Sequence, residues 1–187
     1  MSDGELASPS PDEGDARDEP DPAQAGSDGV DLDITHEAGD WSAFPDAEAL
    51  VRAAGTALAR HPEGEGLIGR QASIVLADDA TVQRLNATYR AKDKPTNVLS
   101  FPFEPPPGMP ESEADLYLGD IILAAETLLR EAADLGVPPA HHLQHLVVHG
   151  LLHLLGFDHI EDAEAEEMEA IETQVLAGLG VADPYAA

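Results

Sequence analysis

Apolar and polar residues alternate with two periods along this chain, and the periods mark out its elements. Val30-Asp31-Leu32-Asp33-Ile34 alternates every second residue, the signature of a half-buried strand. Ala47, Leu50, Val51, Ala54 and Leu58 follow the 3.6-residue period of a helix, after the turn-forming Phe44-Pro45-Asp46. Ala72–Ala77 reads as a second strand. A short helix follows, with Val82, Leu85 and Tyr89 on its expected buried face. Asn97–Phe101 starts a third strand just after Pro95, and Leu116–Leu123 is a fourth. Between them Phe103–Asp115 is crowded with proline and glycine, and a loop of that length suggests a lid. The rest is helical over residues 124–135, 139–155 and 161–178, punctuated by Gly136, Pro138 and Gly156. Strands interspersed with amphipathic helices predict an α+β domain over residues 30–182, with a mixed four-stranded sheet packed by about five helices.

Residues 1–29 are acidic, rich in Pro, Gly, Ser and Ala, and poor in large apolar side chains, so we expect a disordered acidic tail there. The chain has no cysteine, which excludes disulfides and thiolate zinc sites and leaves any metal to histidine and carboxylate. It shows neither an apolar run of membrane-spanning length nor an apolar signal core, so a cytoplasmic protein without a membrane partner is expected.

A formal net charge of −28 by itself opposes nucleic-acid binding, but the charge is unevenly spread. Acidic residues crowd positions 1–30 and 161–172, whereas Arg84, Arg90, Lys92 and Lys94 supply four of the nine bases within eleven positions. That segment is where phosphate could land on an otherwise repelling surface.

His149, His153 and His159 stand in the stretch HGLLHLLGFDH. Residues four apart on a helix differ by about 400° of rotation and roughly 6 Å of rise, so the first two rings project from one face. Gly156 tolerates the left-handed conformation that lets the chain turn back and return His159 to the same ion. Three imidazoles without a fourth protein ligand predict one catalytic zinc per chain, carrying water. His145 and His142, one to two helical turns upstream, are candidates to orient a ligand histidine, and Asp158 and Asp120 to orient one or to accept a proton. Thr96, Asn97 and Ser100 could offer donors near the ion or simply bond within their turn and strand.

The stretch resembles the extended zinc-protease pattern H-E-x-x-H-x-x-G-x-x-H, with a zincin-like metal helix, except that Gly150 stands where the glutamate base should be. Without that carboxylate a zinc metallopeptidase is a poor reading. Together with Leu85-Asn86-x-x-Tyr89-Arg90-x-Lys92-Asp93-Lys94-Pro95-Thr96-Asn97-Val98-Leu99-Ser100-Phe101-Pro102 and Leu118-Gly119-Asp120-Ile121, it resembles the YbeY family. The resemblance spans about residues 30–180; the acidic N-terminal extension departs from it. It implies a single-strand-specific, metal-dependent endoribonuclease in ribosomal RNA maturation at the 16S 3′ end and in ribosome quality control. Its partners would be ribosomal RNA and the small subunit or its assembly intermediates, with no DNA. It further implies zinc on His149, His153 and His159 and a functional role for Arg90. Beside that role, we expect Arg90 to grip phosphate and Lys92 and Lys94 to hold flanking phosphates. A non-catalytic zinc-binding ribosome-assembly factor remains the third reading.

Overall fold

The computed structural model describes residues 29–186. The tail expected over residues 1–29 lies, Gly29 apart, outside the described residues. The elements are β1 (Asp31–His36), α1 (Ala47–Ala59), β2 (Gln71–Ala77), α2 (Asp79–Arg90), β3 (Val98–Pro102), α3 (Glu111–Ala114), β4 (Tyr117–Ala124), α4 (Ala125–Leu135), α5 (Pro139–Leu154) and α6 (Asp162–Gly178). A 3-10 turn over Pro62–Leu67 and the single turn of α3 were not foreseen, because neither is long enough to show a period.

The sheet runs in the order β1-β2-β4-β3, with β1, β2 and β4 parallel and β3 antiparallel to β4. This is the expected α+β arrangement with a mixed sheet, and β3 forms one open edge. An extra residue at Leu118 breaks the register between Gln71 and Ala72 of β2, so Leu118 and Ile121 face the same core. That core is formed by Leu32, Ile74, Ile121 and Leu123 of the sheet against α1, α5 and α6. On the opposite face Val82 of α2 packs with Leu99, Ile122 and Ala124.

Central helix α5 carries Leu143, Leu146, Val147, Val148, Leu151, Leu152 and Leu154, all buried. A helix apolar nearly all round must be enclosed, and α1, α4, α6 and β3 enclose this one. Helix α2 starts from Asp78, whose carboxylate accepts from Thr81 N at 2.7 Å. At its other end the structure corrects one expectation: Tyr89 is 68% exposed. The last turn of α2 runs out at the open edge of the sheet, where little remains to cover the ring. The Phe103–Asp115 loop is pinned at its root, where Phe103 and Tyr117 rings lie 5.4 Å apart. No helix among the described residues is long and apolar enough to cross a membrane.

Candidate metal centre

His149 and His153 lie one turn apart near the C-terminal end of α5, and Gly156 (φ +95°) turns the chain behind them. The turn is closed by Gly156 N donating to His153 O and Phe157 N to Leu152 O, both at 3.0 Å. It also presents Phe157 O to His153 Nδ1 at 2.9 Å. A carbonyl can only accept, so the Nδ1 proton is held there and the Nε2 lone pair is left free.

The other ring is fixed the same way by a carboxylate. His149 Nδ1 donates to Glu172 Oε1 at 2.7 Å, which in the neutral ring leaves the Nε2 lone pair free. The two Nε2 atoms then face each other at 3.0 Å. Two lone pairs at that distance repel unless a proton or a cation lies between or beside them. Two ligand nitrogens on one tetrahedral ion would stand about 3.3 Å apart, close to what is seen. His159 completes the group: the ligand nitrogens of His149, His153 and His159 all lie within 4.8 Å of one another. Burial, followed by the nearness of His149, holds the His153 imidazole below its usual pKa and so in the neutral form a metal needs. The donor set thus fits a metal ion.

Glu172 belongs to this site, although in the sequence it is one more acid in the 161–172 run. It is fully buried on α6. His145 Nε2 donates to its Oε2 at 2.9 Å, and the Tyr185 hydroxyl donates to the same oxygen. Burial alone would raise its carboxyl, but the hydrogen bonds from His145, His149 and Tyr185 outweigh it and bring the pKa down to about 2. With both oxygens engaged, this carboxylate orients rings and is not free to shuttle protons. Burial and the adjacent carboxylate push the Tyr185 hydroxyl up, so it stays a donor. A signal for Glu172 was present: Met168, Ile171, Val175 and Leu176 form the buried stripe of α6, and residue 172 falls inside it. Nothing in the sequence marks Tyr185, which arrives from beyond α6.

The other candidates are placed as follows. His145 reaches the metal trio through Glu172. His142 instead pairs with Glu131 at 2.9 Å, and Glu131 also accepts from Asn97 Nδ2, tying β3 to α4 and α5. Asp158 accepts from His159 N at 2.7 Å and so shapes the backbone of that ligand, not its ring. Asp120 lies on the sheet face away from α5: its neighbour Ile121 points at α5, and strand alternation sends Asp120 to the other side. There it accepts from Tyr117 Oη at 2.8 Å. Thr96 bonds only weakly to Asn97, and Ser100 Oγ is buried beside α5 without a partner among the described residues.

At Gly150 α5 packs closely against the sheet. A Cβ there would meet Ile121 Cδ1 at 2.9 Å, Ile121 Cγ2 at 3.1 Å and Ser100 Oγ at 3.2 Å. A glutamate at this position would point into the core, not at the ion. Gly150→Glu is therefore expected to lower stability by about 3 kcal/mol or more, from overpacking and a buried charge, without conferring peptidase activity. Urea unfolding and a casein digest check both halves.

Arg90 ends α2 on the far face of the sheet and reaches its edge, where Nη2 donates to Ser100 O at 3.4 Å. Among the described residues this is the one hydrogen bond its guanidinium makes. The loop after it is firmly built, since buried Asn86 donates to Lys94 O at 2.7 Å and accepts from Lys92 N at 3.2 Å. Lys92 and Lys94 are exposed on that loop.

Fold and site together define an α+β protein with a three-histidine group on its central helix that could hold a metal ion. The family model described as Endoribonuclease YbeY matches residues 40–180. The chain is 52% identical over 157 residues to Endoribonuclease YbeY of Azorhizobium caulinodans, covering 84% of this chain and 97% of that protein. It is 56% identical over 150 residues to Endoribonuclease YbeY of Paramagnetospirillum magneticum, covering 78% and 89%. The solution structure of TM1509 from Thermotoga maritima aligns with a TM-score of 0.48 at 20% identity, covering 83% of this chain and 96% of that one. The chain belongs to the YbeY endoribonuclease family.

Proposed function

We propose that this chain is a metal-dependent endoribonuclease that cuts single-stranded ribosomal RNA during maturation of the 16S 3′ end and in ribosome quality control. Its partner is the small subunit or an assembly intermediate, its compartment the cytoplasm and its catalytic domain residues 30–182. The observation that carries the reading is the pair of Nε2 atoms facing each other at 3.0 Å, each ring anchored through its Nδ1, with His159 beside them, in a chain of this family.

The ligands are His149, His153 and His159, and zinc is the metal this all-imidazole set suits. Once bound, the ion would activate water and polarise a phosphoryl oxygen. The chain's own residues do the rest. Glu172 and Phe157 O hold the first two rings in the ligating tautomer. Arg90 presents a permanently charged fork to the phosphate, and Lys92 and Lys94 hold its neighbours. Three donors, with no fourth His, Cys, Asp or Glu in the group among the described residues, favour catalysis over a closed structural site.

Purified protein should cleave single-stranded RNA, stop when a chelator strips its metal, and resume on zinc addition. Cleavage indifferent to the chelator would overturn the reading. Arg90→Ala should keep its metal content but cut RNA about a hundredfold more slowly, since one phosphate-stabilising fork is gone. Elemental analysis with single-turnover cleavage separates the two effects.

A further inference from the structure

Tyr89 is the large aromatic that α2 leaves outside, 68% exposed at the sheet edge. It is oriented nonetheless: its ring meets Phe101 edge-on at 5.3 Å with an interplanar angle of 62°. Arg90 follows it, and Lys92 and Lys94 stand on the loop that Asn86 clamps. The single acid among residues 84–97, Asp93, is engaged by Gln83 Nε2 at 2.8 Å. An exposed aromatic ring is thus followed within five positions by three cations in a chain whose net charge is −28.

That combination matches single-stranded nucleic acid: a base for the ring, phosphates for the cations. It matches a duplex poorly, because paired bases are already stacked and offer no free face. It also fits an acidic peptide poorly, which would use the cations and leave the ring idle. Arg90 bridges this platform to the β3 edge at Ser100, whose side chain lies against α5 at Gly150, next to His149 and three residues from His153 on the metal helix. We infer that Tyr89 is a base-stacking platform that holds a nucleotide flanking the scissile phosphate and makes the enzyme select unpaired RNA. The inference rests on the endoribonuclease reading above and adds the residue that discriminates strandedness.

The test compares wild type, Tyr89→Ala, Tyr89→Phe and Tyr89→Trp in binding a short single-stranded 2′-O-methyl RNA, verified intact afterwards, and an abasic oligomer of equal length. Tyr89→Ala should bind the base-bearing oligomer about tenfold more weakly and the abasic one unchanged, while Tyr89→Phe matches wild type. The base-bearing oligomer should quench the added emission of Tyr89→Trp, above the constant signal of buried Trp41, and the abasic oligomer should not. If Tyr89→Ala binds the base-bearing oligomer like wild type, or loses both oligomers equally, the stacking role is wrong and the nuclease reading stands. If wild type binds neither oligomer, both fall.

Discussion

His149→Ala is expected to give a folded chain that retains no metal and cleaves RNA roughly a thousandfold more slowly, a loss of about 4 kcal/mol in transition-state stabilisation. The substitution removes one of the three donors, and no other member of the group is available to replace it. It also removes the ring that holds Glu172 Oε1, yet Oε2 keeps His145 and Tyr185. The buried carboxylate therefore remains partnered and the fold should lose only about 1–2 kcal/mol. Metal content per chain, urea unfolding and single-turnover cleavage on one preparation check the three parts. A variant that loses metal yet cleaves normally would dissociate the site from the activity.

The second large effect is expected from Glu172→Gln, which changes no ligand. Three donors converge on this carboxylate, and a carboxamide offers one acceptor oxygen and an NH2 group. At least one of His145, His149 and Tyr185 must then face a donor. With the His149 tautomer released, metal should bind about 10- to 100-fold more weakly, as read by competition with a chromogenic chelator. The variant should also lose part of the wild type's pH dependence. The folded-state pKa of Glu172 is about 2, below its ordinary 4.5, so this group's contribution is fully present above about 4.5 and is lost as pH falls through about 2. Its size is on the order of 3 kcal/mol. Unfolding free energies of wild type and Glu172→Gln, compared between pH 6 and pH 2 (about 1.5 units above and about 2.5 units below 4.5), should converge towards the acid end. A constant difference would deny the carboxylate its ionised role.

Hydrophobic period carried much of this architecture. Every long helix and all four strands announced themselves, because each buries one face or, for α5, nearly all of its surface. The gathering of His149, His153 and His159 followed from helical geometry and one glycine turn, which are local properties. What stayed hidden is tertiary. Glu172 meets His149 only after α6 packs on α5, and in the sequence it is camouflaged by six acidic neighbours in the same run. Asp120 carries the right chemistry, but strand alternation put it on the wrong face. Tyr89 fits the apolar stripe of α2, yet at the sheet edge Phe101 meets its ring edge-on and leaves it 68% exposed. Period predicts which side of an element faces inward. It does not predict how far the neighbouring element extends.

Zinc K-edge X-ray absorption on the loaded chain measures the centre itself. Three imidazole nitrogens at about 2.0–2.1 Å and one oxygen that exchanges with solvent are expected. A shell with fewer imidazoles, or with a fourth side chain in place of the exchangeable oxygen, would contradict a catalytic three-histidine centre.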